Sequence, residues 1–309
     1  MKISLDGGAL DPKNNERFGT AIFSENLVKA LSLYDKKNQY FTYTFQNLKP
    51  KLFWLKGRLS IEELKEKKDI FLALNQAIPL YTSGKIISFC HGLSYYFYPE
   101  YYSKKDVVRL NRQLEEMIKR SDKIIVSSQK VKSELISIDR TIENKIITLP
   151  FDIPFDMKSK PASVLKSGLQ RGKEKYFLFV GMDHPIKNIN FIKEAFKKVR
   201  ESKKFKDYKL ILVTENCSRV RLHSLYQNAT ALLTASHYES FNFPVLEALS
   251  QGCPVIGLKS AIIPELRSHV NLANSMDEFV ENMKKKLINK SYVGYNWKNY
   301  VKNLVRLYK

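Results

Sequence analysis

The chain has 309 residues, of which 44% are hydrophobic and 27% are charged, and its formal net charge is +21. This composition excludes an intrinsically disordered protein, and no apolar run approaches the roughly 18 residues that a membrane-spanning helix needs. The first residues contain no apolar signal core, and Cys90, Cys217 and Cys253 lie far apart without metal-ligand spacing. We therefore expect a cytoplasmic protein with reduced thiols.

The positive charge is spread over the whole chain. Residues 1–150 contain 25 Lys and Arg against 17 Asp and Glu, a net charge of +8, and residues 151–309 contain 27 against 14, a net charge of +13. Basic proteins bind nucleic acid, anionic membranes or anionic small molecules. No helix-turn-helix, zinc or RNA-binding motif is present, so we expect no nucleic-acid partner. An anionic small molecule and an anionic membrane surface both remain as expected partners.

Short apolar runs alternate with amphipathic helical stretches along the chain, a pattern typical of α/β folds with parallel sheets. The predicted strands of the N-terminal half are MKISLD, YFTYTF, KLFWL, DIFLAL, KIISFC, DKIIVSS and NKIITL. The first strand ends at Gly7 and Gly8, and a helix is predicted after Gly19. A second amphipathic helix is predicted from Lys104 to Arg120.

Residues 151–174 are rich in Pro, Lys and Ser, which predicts an interdomain linker. A second α/β unit follows, with predicted strands KYFLFVG, YKLILVT, TALLTAS and CPVIGL and predicted helices INFIKEAFKKVRES, RLHSLYQNA and PVLEALSQ. The last 19 residues predict a final amphipathic helix. We therefore expect an α/β protein with two domains, residues 1–155 and 156–309.

Two carboxylates, Glu239 and Glu247, flank a loop that closes on Pro244. Proline suits the first turn of a helix, so Glu247 falls in the first or second turn. Because the predicted helix follows a strand, its free N–H groups point into the crevice at the strand ends, where they suit a diphosphate. Taken alone, the spacing also fits an ordinary strand–loop–helix with a solvated Glu239.

A second candidate segment lies upstream, where a predicted strand ends at Gly181 and leads to Lys187 and Asn188 before a helix. A lysine at this place can neutralise a phosphate leaving group, although a solvated lysine at a helix start has the same pattern. Arg219 lies near the start of a later helix, where it has the charge for a second phosphate contact, but we interpret it as a surface residue.

Together these segments resemble the retaining GT-B glycosyltransferases of family four, the glycosyl transferases group 1. The resemblance rests on motifs in the family's order, which are residues 179–181, Lys187–Asn188, Ala195–Phe196, Leu222–Ala229, Glu239 to Glu247, Gly252–Val255 and Pro264–Glu265. In the N-terminal half, IISFCHGLSYYFYPEYY and SDKIIVSSQKVKSEL match further family stretches. The resemblance runs from about residue 1 to residue 270.

The resemblance implies a GT-B fold, in which two Rossmann-like domains enclose a cleft and the last helix crosses back to the N-terminal domain. It implies that Glu247 holds the ribose hydroxyls of the donor, Glu239 its sugar hydroxyls and Lys187 its diphosphate. His91 would lie near the transferred sugar, so the implied catalytic residues are His91, Glu239 and Lys187. The other implied donor-binding residues are Gly7, Gly8, Gly181, Phe241, Asn242 and Phe243, with the segment Arg17–Gly19 approaching donor and acceptor.

The implied function is transfer of a hexose, of the mannose or glucose type, from a GDP- or UDP-linked sugar to a glycan, lipid-linked or envelope acceptor. The sequence contains no Asp-x-Asp motif, so we expect no metal and no other cofactor. We also expect a peripheral location at the inner membrane face. Residues 49–58 mix cations with aromatic and aliphatic residues and suit such an interface, although a half-buried strand would look similar.

Three departures from the family pattern motivate an alternative to the active enzyme. The usual E-G-F-G reads ESFN, so that Ser240 and Asn242 replace glycines, and the usual H-D reads His91–Gly92. The C-terminal domain is also short between YKLILVT and RLHSLYQNA. The alternative is a catalytically silent GT-B protein that binds a nucleotide sugar or a partner glycosyltransferase.

Overall fold

The computed structural model describes residues 1–11, 19–49, 53–158, 175–287 and 294–309. The chain forms two compact units, of which the first contains Met1–Asp152 and Tyr295–Lys309 and the second contains Ile153–Gly294. Most of the predicted linker, residues 159–174, lies outside the described residues, as do Arg17 and Phe18 of the predicted acceptor-side segment.

The described part of the first unit contains a six-stranded sheet in which each strand pairs in parallel with its neighbours. Its strands are β1 (Lys2–Asp6), β2 (Gln39–Tyr43), β3 (Ile70–Ala73), β4 (Lys85–Cys90), β5 (Lys123–Val126) and β6 (Ile146–Thr148), in the order β2-β1-β3-β4-β5-β6. All four residues of β3 are buried. Such continuous apolar strands are expected where helices cover both faces of a parallel sheet.

The helices of the first unit are α1 (Gly19–Tyr34), α2 (Leu59–Lys65), α3 (Ser94–Phe97), α4 (Lys104–Arg120), α5 (Gln129–Ile138) and the C-terminal helix Trp297–Arg306. Ser103 caps α4 by accepting a hydrogen bond from the N–H of Asp106. The C-terminal helix packs on α1. The N–H of Trp297 donates to the Asp152 carboxylate at 2.9 Å, and its buried ring lies 6.3 Å from that of Phe23.

The predicted strand KLFWL is wrong. Residues 51 and 52 lie outside the described residues, and Trp54–Arg58 forms one π-helical turn that leads into α2. Phe53 has a φ of 51°, which breaks the extended conformation before the turn. Trp54 is buried against Phe45, with ring centroids 4.7 Å apart. Its burial therefore comes from a helical turn, although the apolar run alone resembles a strand.

Within its described residues, the second unit contains five parallel strands in the order β11-β10-β9-β7-β8. These are β7 (Tyr176–Val180), β8 (Lys209–Val213), β9 (Ala231–Thr234), β10 (Val255–Leu258) and β11 (Asn271–Ala273). Its helices are α6 (Phe155–Lys158), α7 (Ile189–Arg200), α8 (Arg219–Asn228), α9 (Phe243–Ser250) and α10 (Met276–Lys284), and the C-terminal helix is then α11. Because β7 and β9 are neighbours, the loops that follow them leave the same edge of the sheet side by side.

The predicted α/β class with two Rossmann-like units is confirmed. No helix in the described ranges is long and apolar enough to span a membrane.

Candidate functional site

The loops after β7 and β9 are joined by hydrogen bonds. After Gly181 the chain forms a short 3-10 turn, Pro185–Lys187, and Asn188 then takes a left-handed conformation with φ 52° before α7. The N–H of His237 donates to the carbonyl of Ile186 at 2.8 Å, and the Asn188 amide donates to the carbonyl of Ala235 at 3.2 Å. These bonds hold the turn with Lys187 against the loop with Glu239.

Lys187 and Glu239, both predicted catalytic residues, form an ion pair in which Nζ and Oε1 are 2.7 Å apart. The Ser236 hydroxyl donates to the same carboxylate oxygen at 2.7 Å. The side chains are 19% and 10% exposed, so the pair is only partly screened by water. A lysine ammonium has three N–H donors and spends one on Glu239, so it can also bind an anion.

The helix after β9 begins on an unusual residue. Asn242 has a φ of 67°, in the region where glycine and asparagine are tolerated best. Its Oδ1 accepts a hydrogen bond from the N–H of Val245 at 3.4 Å, and its Nδ2 donates to the carbonyl of Ala261 at 3.2 Å. Asn242 therefore takes the left-handed backbone that suits a glycine and also caps α9. Phe241 and Phe243 flank it, with ring centroids 5.5 Å apart.

Glu247 lies one turn inside α9 and is 2% exposed. Its Oε1 accepts a hydrogen bond from Arg219 Nη2 at 2.8 Å, and its Oε2 accepts one from the Tyr226 hydroxyl at 3.0 Å. Burial and, to a smaller extent, the neighbouring Glu247 carboxylate raise the pKa of Tyr226 well above its ordinary value. Tyr226 is therefore a permanent donor to Glu247 at neutral pH.

The interpretation of Arg219 as a surface residue is wrong. Its side chain is 21% exposed, and its guanidinium also pairs with Asp156 on α6, with Nη2 and Nε each 3.0 Å from a carboxylate oxygen. Arg219 and Tyr226 are seven residues apart and so lie on one face of α8. This spacing is the one feature of the sequence that links them. The buried His223 of α8 faces the carbonyl of Asp156 at 2.7 Å and helps to hold α6 there.

His91 follows β4 in the first unit, and its imidazole packs against the rings of Phe23 and Phe151. Its Nε2 lies 2.6 Å from the carbonyl of Leu74, which accepts only, so Nε2 carries the proton. Burial lowers the pKa of His91 to about 4. The side chain is therefore neutral at physiological pH. The following Gly92 has a φ of 139°, which a residue with a side chain rarely adopts.

Gly7 and Gly8 follow β1 in the first unit. A Cβ on Gly7 would lie 2.6 Å from the carbonyl oxygen of Tyr43, so only glycine fits beside β2. The N–H of Gly8 donates to the Asp6 carboxylate at 2.9 Å. Burial raises the pKa of Asp6 to about 6, and the Gly8 hydrogen bond opposes this shift. Asp6 was not a candidate from the sequence, where it is one carboxylate at a strand end.

Of the candidates in the second unit, Gly181 extends β7 by donating its N–H to the carbonyl of Val213 at 3.1 Å.

Among the residues that the structure describes, no group of three or more His, Cys, Asp or Glu side chains is placed to hold a metal ion. The three cysteines are free thiols, of which Cys90 and Cys253 are buried.

Sequence comparison identifies relatives among glycosyltransferases. The model of the glycosyl transferases group 1 family matches residues 211–293. O-antigen chain mannosyltransferase B of Escherichia coli is 26% identical over 232 residues, which are 66% of this chain and 60% of that protein. O-antigen chain mannosyltransferase RfbU of Salmonella typhimurium is 26% identical over 271 residues, 78% of this chain and 68% of that protein. An uncharacterised glycosyltransferase of Methanocaldococcus jannaschii is 27% identical, and the alignment again spans 60% of the relative.

Solved structures share the fold over nearly the whole chain. The Anabaena protein HepE in complex with UDP-glucose has a TM-score of 0.60 at 14% identity, covering 92% of this chain and 89% of HepE. A UDP-forming α,α-trehalose-phosphate synthase from Burkholderia xenovorans has a TM-score of 0.66 at 9% identity, covering 99% of both chains. The chain therefore has the GT-B fold, and the resemblance of its motifs to the glycosyl transferases group 1 is confirmed.

Proposed function

We propose that this chain is a retaining glycosyltransferase that moves a hexose of the mannose or glucose type from a nucleoside-diphosphate sugar to a glycan, lipid-linked or envelope acceptor. The proposal rests on the ion pair between Lys187 and Glu239. The two residues lie in the loops that follow β7 and β9 of the second sheet, and the loop after β9 leads into α9. A cation and helix N–H groups suit a diphosphate, and a carboxylate suits sugar hydroxyls. The relatives named as O-antigen mannosyltransferases support a hexose donor.

In the proposed donor site, Lys187 contacts the diphosphate with its remaining N–H groups, and the backbone N–H groups of residues 241–243 complete the contact. Gly181 lets the backbone approach the donor. Glu239 accepts hydrogen bonds from the sugar hydroxyls, and Glu247 accepts them from the ribose. Each Glu247 oxygen accepts one hydrogen bond from the protein, and a carboxylate oxygen has two lone pairs. UDP and GDP are the two nucleotides that we propose.

The proposed reaction breaks the bond between the anomeric carbon and the diphosphate oxygen. The acceptor oxygen bonds to the anomeric carbon on the face that the diphosphate leaves, and a phosphate oxygen takes the acceptor's proton. No side chain acts as a nucleophile. Lys187 and the helix N–H groups stabilise the charge that develops on the diphosphate, so the reaction uses no metal ion. His91, which is neutral, contributes a hydrogen bond near the sugar, with Gly7 and Gly8 allowing close approach in the first unit.

Ligand-induced thermal shifts test the donor site, because a ligand that binds the folded state raises the melting temperature. We expect UDP, GDP or one of their hexose conjugates to raise the melting temperature of the parent. Glu247→Ala should weaken nucleotide binding by about 1.5–3 kcal/mol, since it removes a charged acceptor. Glu239→Ala should bind the bare nucleotide like the parent but transfer little sugar. Glu194→Ala removes an exposed glutamate of α7 and serves as the matched control.

Donor hydrolysis and transfer assays separate the active enzyme from the silent alternative. A parent that binds the nucleotide sugar but neither hydrolyses nor transfers it supports the silent protein. The site assignment fails if Glu247→Ala and Glu239→Ala both bind and turn over like Glu194→Ala. One departure from the family pattern is accommodated, because Asn242 takes the left-handed backbone that suits the usual glycine, and we therefore favour the active enzyme.

Chelation tests the proposed absence of a metal. Because Lys187 and helix N–H groups meet the diphosphate charge, turnover should be unchanged after dialysis against excess EDTA. Full loss of turnover, restored by manganese or magnesium, would overturn this part of the proposal.

The first unit carries an exposed apolar surface that suits a lipid-linked acceptor at an anionic membrane. We define it as Phe53, Ile61, Leu64 and Leu80, which are 76%, 47%, 63% and 67% exposed. The N–H of Leu80 donates to the carbonyl of Lys56, so this loop runs beside the turn before α2. Lys49 is exposed nearby in the chain, whereas Lys56 and Arg58 pair with Glu116 and Glu62. Within the predicted interface at residues 49–58, Trp54 is buried, and Lys51 and Leu52 lie outside the described residues.

Vesicle flotation tests this surface. The parent should bind vesicles that contain acidic lipid and be released by salt, since each cation near an anionic leaflet contributes about 1 kcal/mol. Replacing Phe53 and Leu64 with Ser should reduce recovery, whereas Val108→Ser removes a similarly exposed apolar residue of α4 and should not. Equal recovery with neutral and acidic vesicles, or none with either, favours a soluble acceptor.

A further inference from the structure

The carboxylate of Glu247, which we propose binds the ribose, is held by hydrogen bonds from the protein at both of its oxygens. It is 2% exposed, and both of its oxygens accept hydrogen bonds from α8, one from Arg219 and one from Tyr226. A buried carboxylate without a cation tends to take up a proton, because burial disfavours the charged form. The Arg219 guanidinium at 2.8 Å is the cation that opposes this.

Arg219 is itself fixed from a second side. Its Nε and Nη2 contact the two oxygens of Asp156 on α6, and the same Nη2 donates to Glu247. A guanidinium has a rigid planar set of donors, so contacts on two sides determine its position. The backbone around Asp156 is fixed in turn, since His223 faces its carbonyl and Gln251 donates to the carbonyl of Met157 at 2.7 Å.

We infer that Arg219 is a positioning residue that supplies the cation beside the buried Glu247 carboxylate and orients it to accept the hydroxyls of a nucleotide ribose. The inference rests on the proposed donor site. It assigns to Arg219 a different role from that of Lys187, because Arg219 lies between two carboxylates, Asp156 and Glu247, which together exceed its charge. A guanidinium neutralised in this way is a poor site for a diphosphate, whereas it is well placed to hold a carboxylate.

The role predicts a pH dependence that a purely structural residue would not produce. Arg219 and Tyr226 on α8 contact Glu247 directly. The titratable groups beyond them are Asp156 on α6, which contacts Arg219, His223, which faces the Asp156 carbonyl, and Cys253 after α9, which acts electrostatically on Tyr226. Burial raises the pKa of Cys253 to about 12, and the pKa of Tyr226 is higher than its ordinary value, so both keep their protons between pH 6 and 8. His223 and Asp156 are present in parent and variants alike. Asp156 also loses its contact with Arg219 in Arg219→Gln, so Glu247→Gln combined with Arg219→Gln is needed to assign a pH effect to Glu247.

The experiment measures UDP and GDP binding by calorimetry at pH 6, 7 and 8 for the parent, Arg219→Gln, Arg219→Lys and Arg221→Gln. Arg221 is exposed two residues along the same helix, so its variant loses the same charge. For Arg219→Gln we expect affinity to fall about tenfold more between pH 8 and pH 6 than for Arg221→Gln, because a protonated carboxylate cannot accept from both hydroxyls. Arg219→Lys keeps the cation and should restore much of the parent profile.

A second readout needs no nucleotide. Because a buried carboxylate without a cation is tolerated best when protonated, the melting temperature of Arg219→Gln should rise relative to that of Arg221→Gln as the pH falls from 8 to 6. Glu247→Gln combined with Arg219→Gln should abolish this difference.

The outcomes separate the two proposals. If Glu247→Ala binds the nucleotides like the parent, or the parent binds neither, the donor site is wrong and the role of Arg219 in binding fails with it. If Glu247→Ala weakens binding but Arg219→Gln shows the same pH profile as Arg221→Gln in both measurements, the donor site stands and the inference about Arg219 is overturned.

Discussion

Asn242 offers the sharpest test of whether the departure from the family's glycine pattern is accommodated. The residue is 7% exposed, takes a φ of 67° and caps α9. Asn242→Gly restores the residue usual in the family and permits the backbone, but it removes the side-chain hydrogen bonds. Asn242→Ala removes the same bonds and also forces a Cβ into the left-handed region.

The difference between these two variants isolates the backbone. The left-handed conformation costs an alanine roughly 1–2 kcal/mol. Glycine loses about 0.4–1 kcal/mol through the greater freedom of its unfolded chain. Asn242→Gly should therefore be more stable than Asn242→Ala by about 1 kcal/mol. Both should be less stable than the parent, since loss of the cap costs up to about 1 kcal/mol and loss of the bond to Ala261 about 1 kcal/mol more.

Urea unfolding measures the effect. The three proteins should unfold with the same m-value, and their midpoints should fall in the order parent, Asn242→Gly, Asn242→Ala. Nucleotide binding by Asn242→Gly should resemble that of the parent, because glycine keeps the backbone N–H and permits the left-handed backbone at position 242, and because Glu247 is held by α8. The reasoning is refuted if Asn242→Ala is as stable as Asn242→Gly, since the left-handed backbone would then impose no cost.

Three further predictions concern the first unit. Because the pKa of His91 is lowered to about 4 in the folded protein, the unfolded chain binds the proton first as the pH falls. The free energy of unfolding of the parent should therefore fall by about 2 kcal/mol between pH 6.5 and pH 5. Urea unfolding of His91→Gln should lack this loss. Asp6, with its pKa raised to about 6, opposes folding once it is ionised. At pH 8 the free energy of unfolding of Asp6→Asn, measured in urea, should therefore exceed that of the parent by up to about 3 kcal/mol, with no gain at pH 3. Gly7→Ala should lower the free energy of unfolding in urea by about 1–3 kcal/mol through its clash with Tyr43, and an unchanged midpoint would contradict that packing.

The strands that the sequence predicts well are those whose residues are continuously apolar and buried. The run IFLA of β3 and the run ALLT of β9 are buried throughout, and turn residues or helical periodicity bound them. The prediction missed β11, which has three residues and leads directly into α10. It assigned KLFWL to a strand because a short apolar run fits a buried helical turn equally well.

Some residues of the candidate site could be predicted from the local sequence pattern, whereas others are brought together only by tertiary packing. Lys187 and Glu239 were predictable because each follows a strand of a parallel sheet, and adjacent strands bring such loops together. The contact between Arg219 and Glu247 was not, because it joins residues 28 apart through the packing of α8 on α9, and Asp156 lies 63 residues before Arg219. The basic composition is typical of a protein that binds an anion. It could not show which cation is available to an anionic ligand and which one is paired with carboxylates of the protein.

The two glutamates of the candidate site differ in how firmly the fold holds them. Glu239 pairs with a lysine on another loop, and the pair is 19% and 10% exposed, so an incoming anion can compete for that lysine. Glu247 is bound from α8 by an arginine that is anchored on Asp156 and by a tyrosine that is fully buried. A group that must hold one rigid hydroxyl pair benefits from being oriented before the ligand arrives, since ordering it on binding would reduce affinity. A group beside the transferred sugar must instead respond to the charge that appears as the bond breaks. The rigid setting of Glu247 therefore suits nucleotide binding, and the exchangeable setting of Glu239 and Lys187 suits the transfer step.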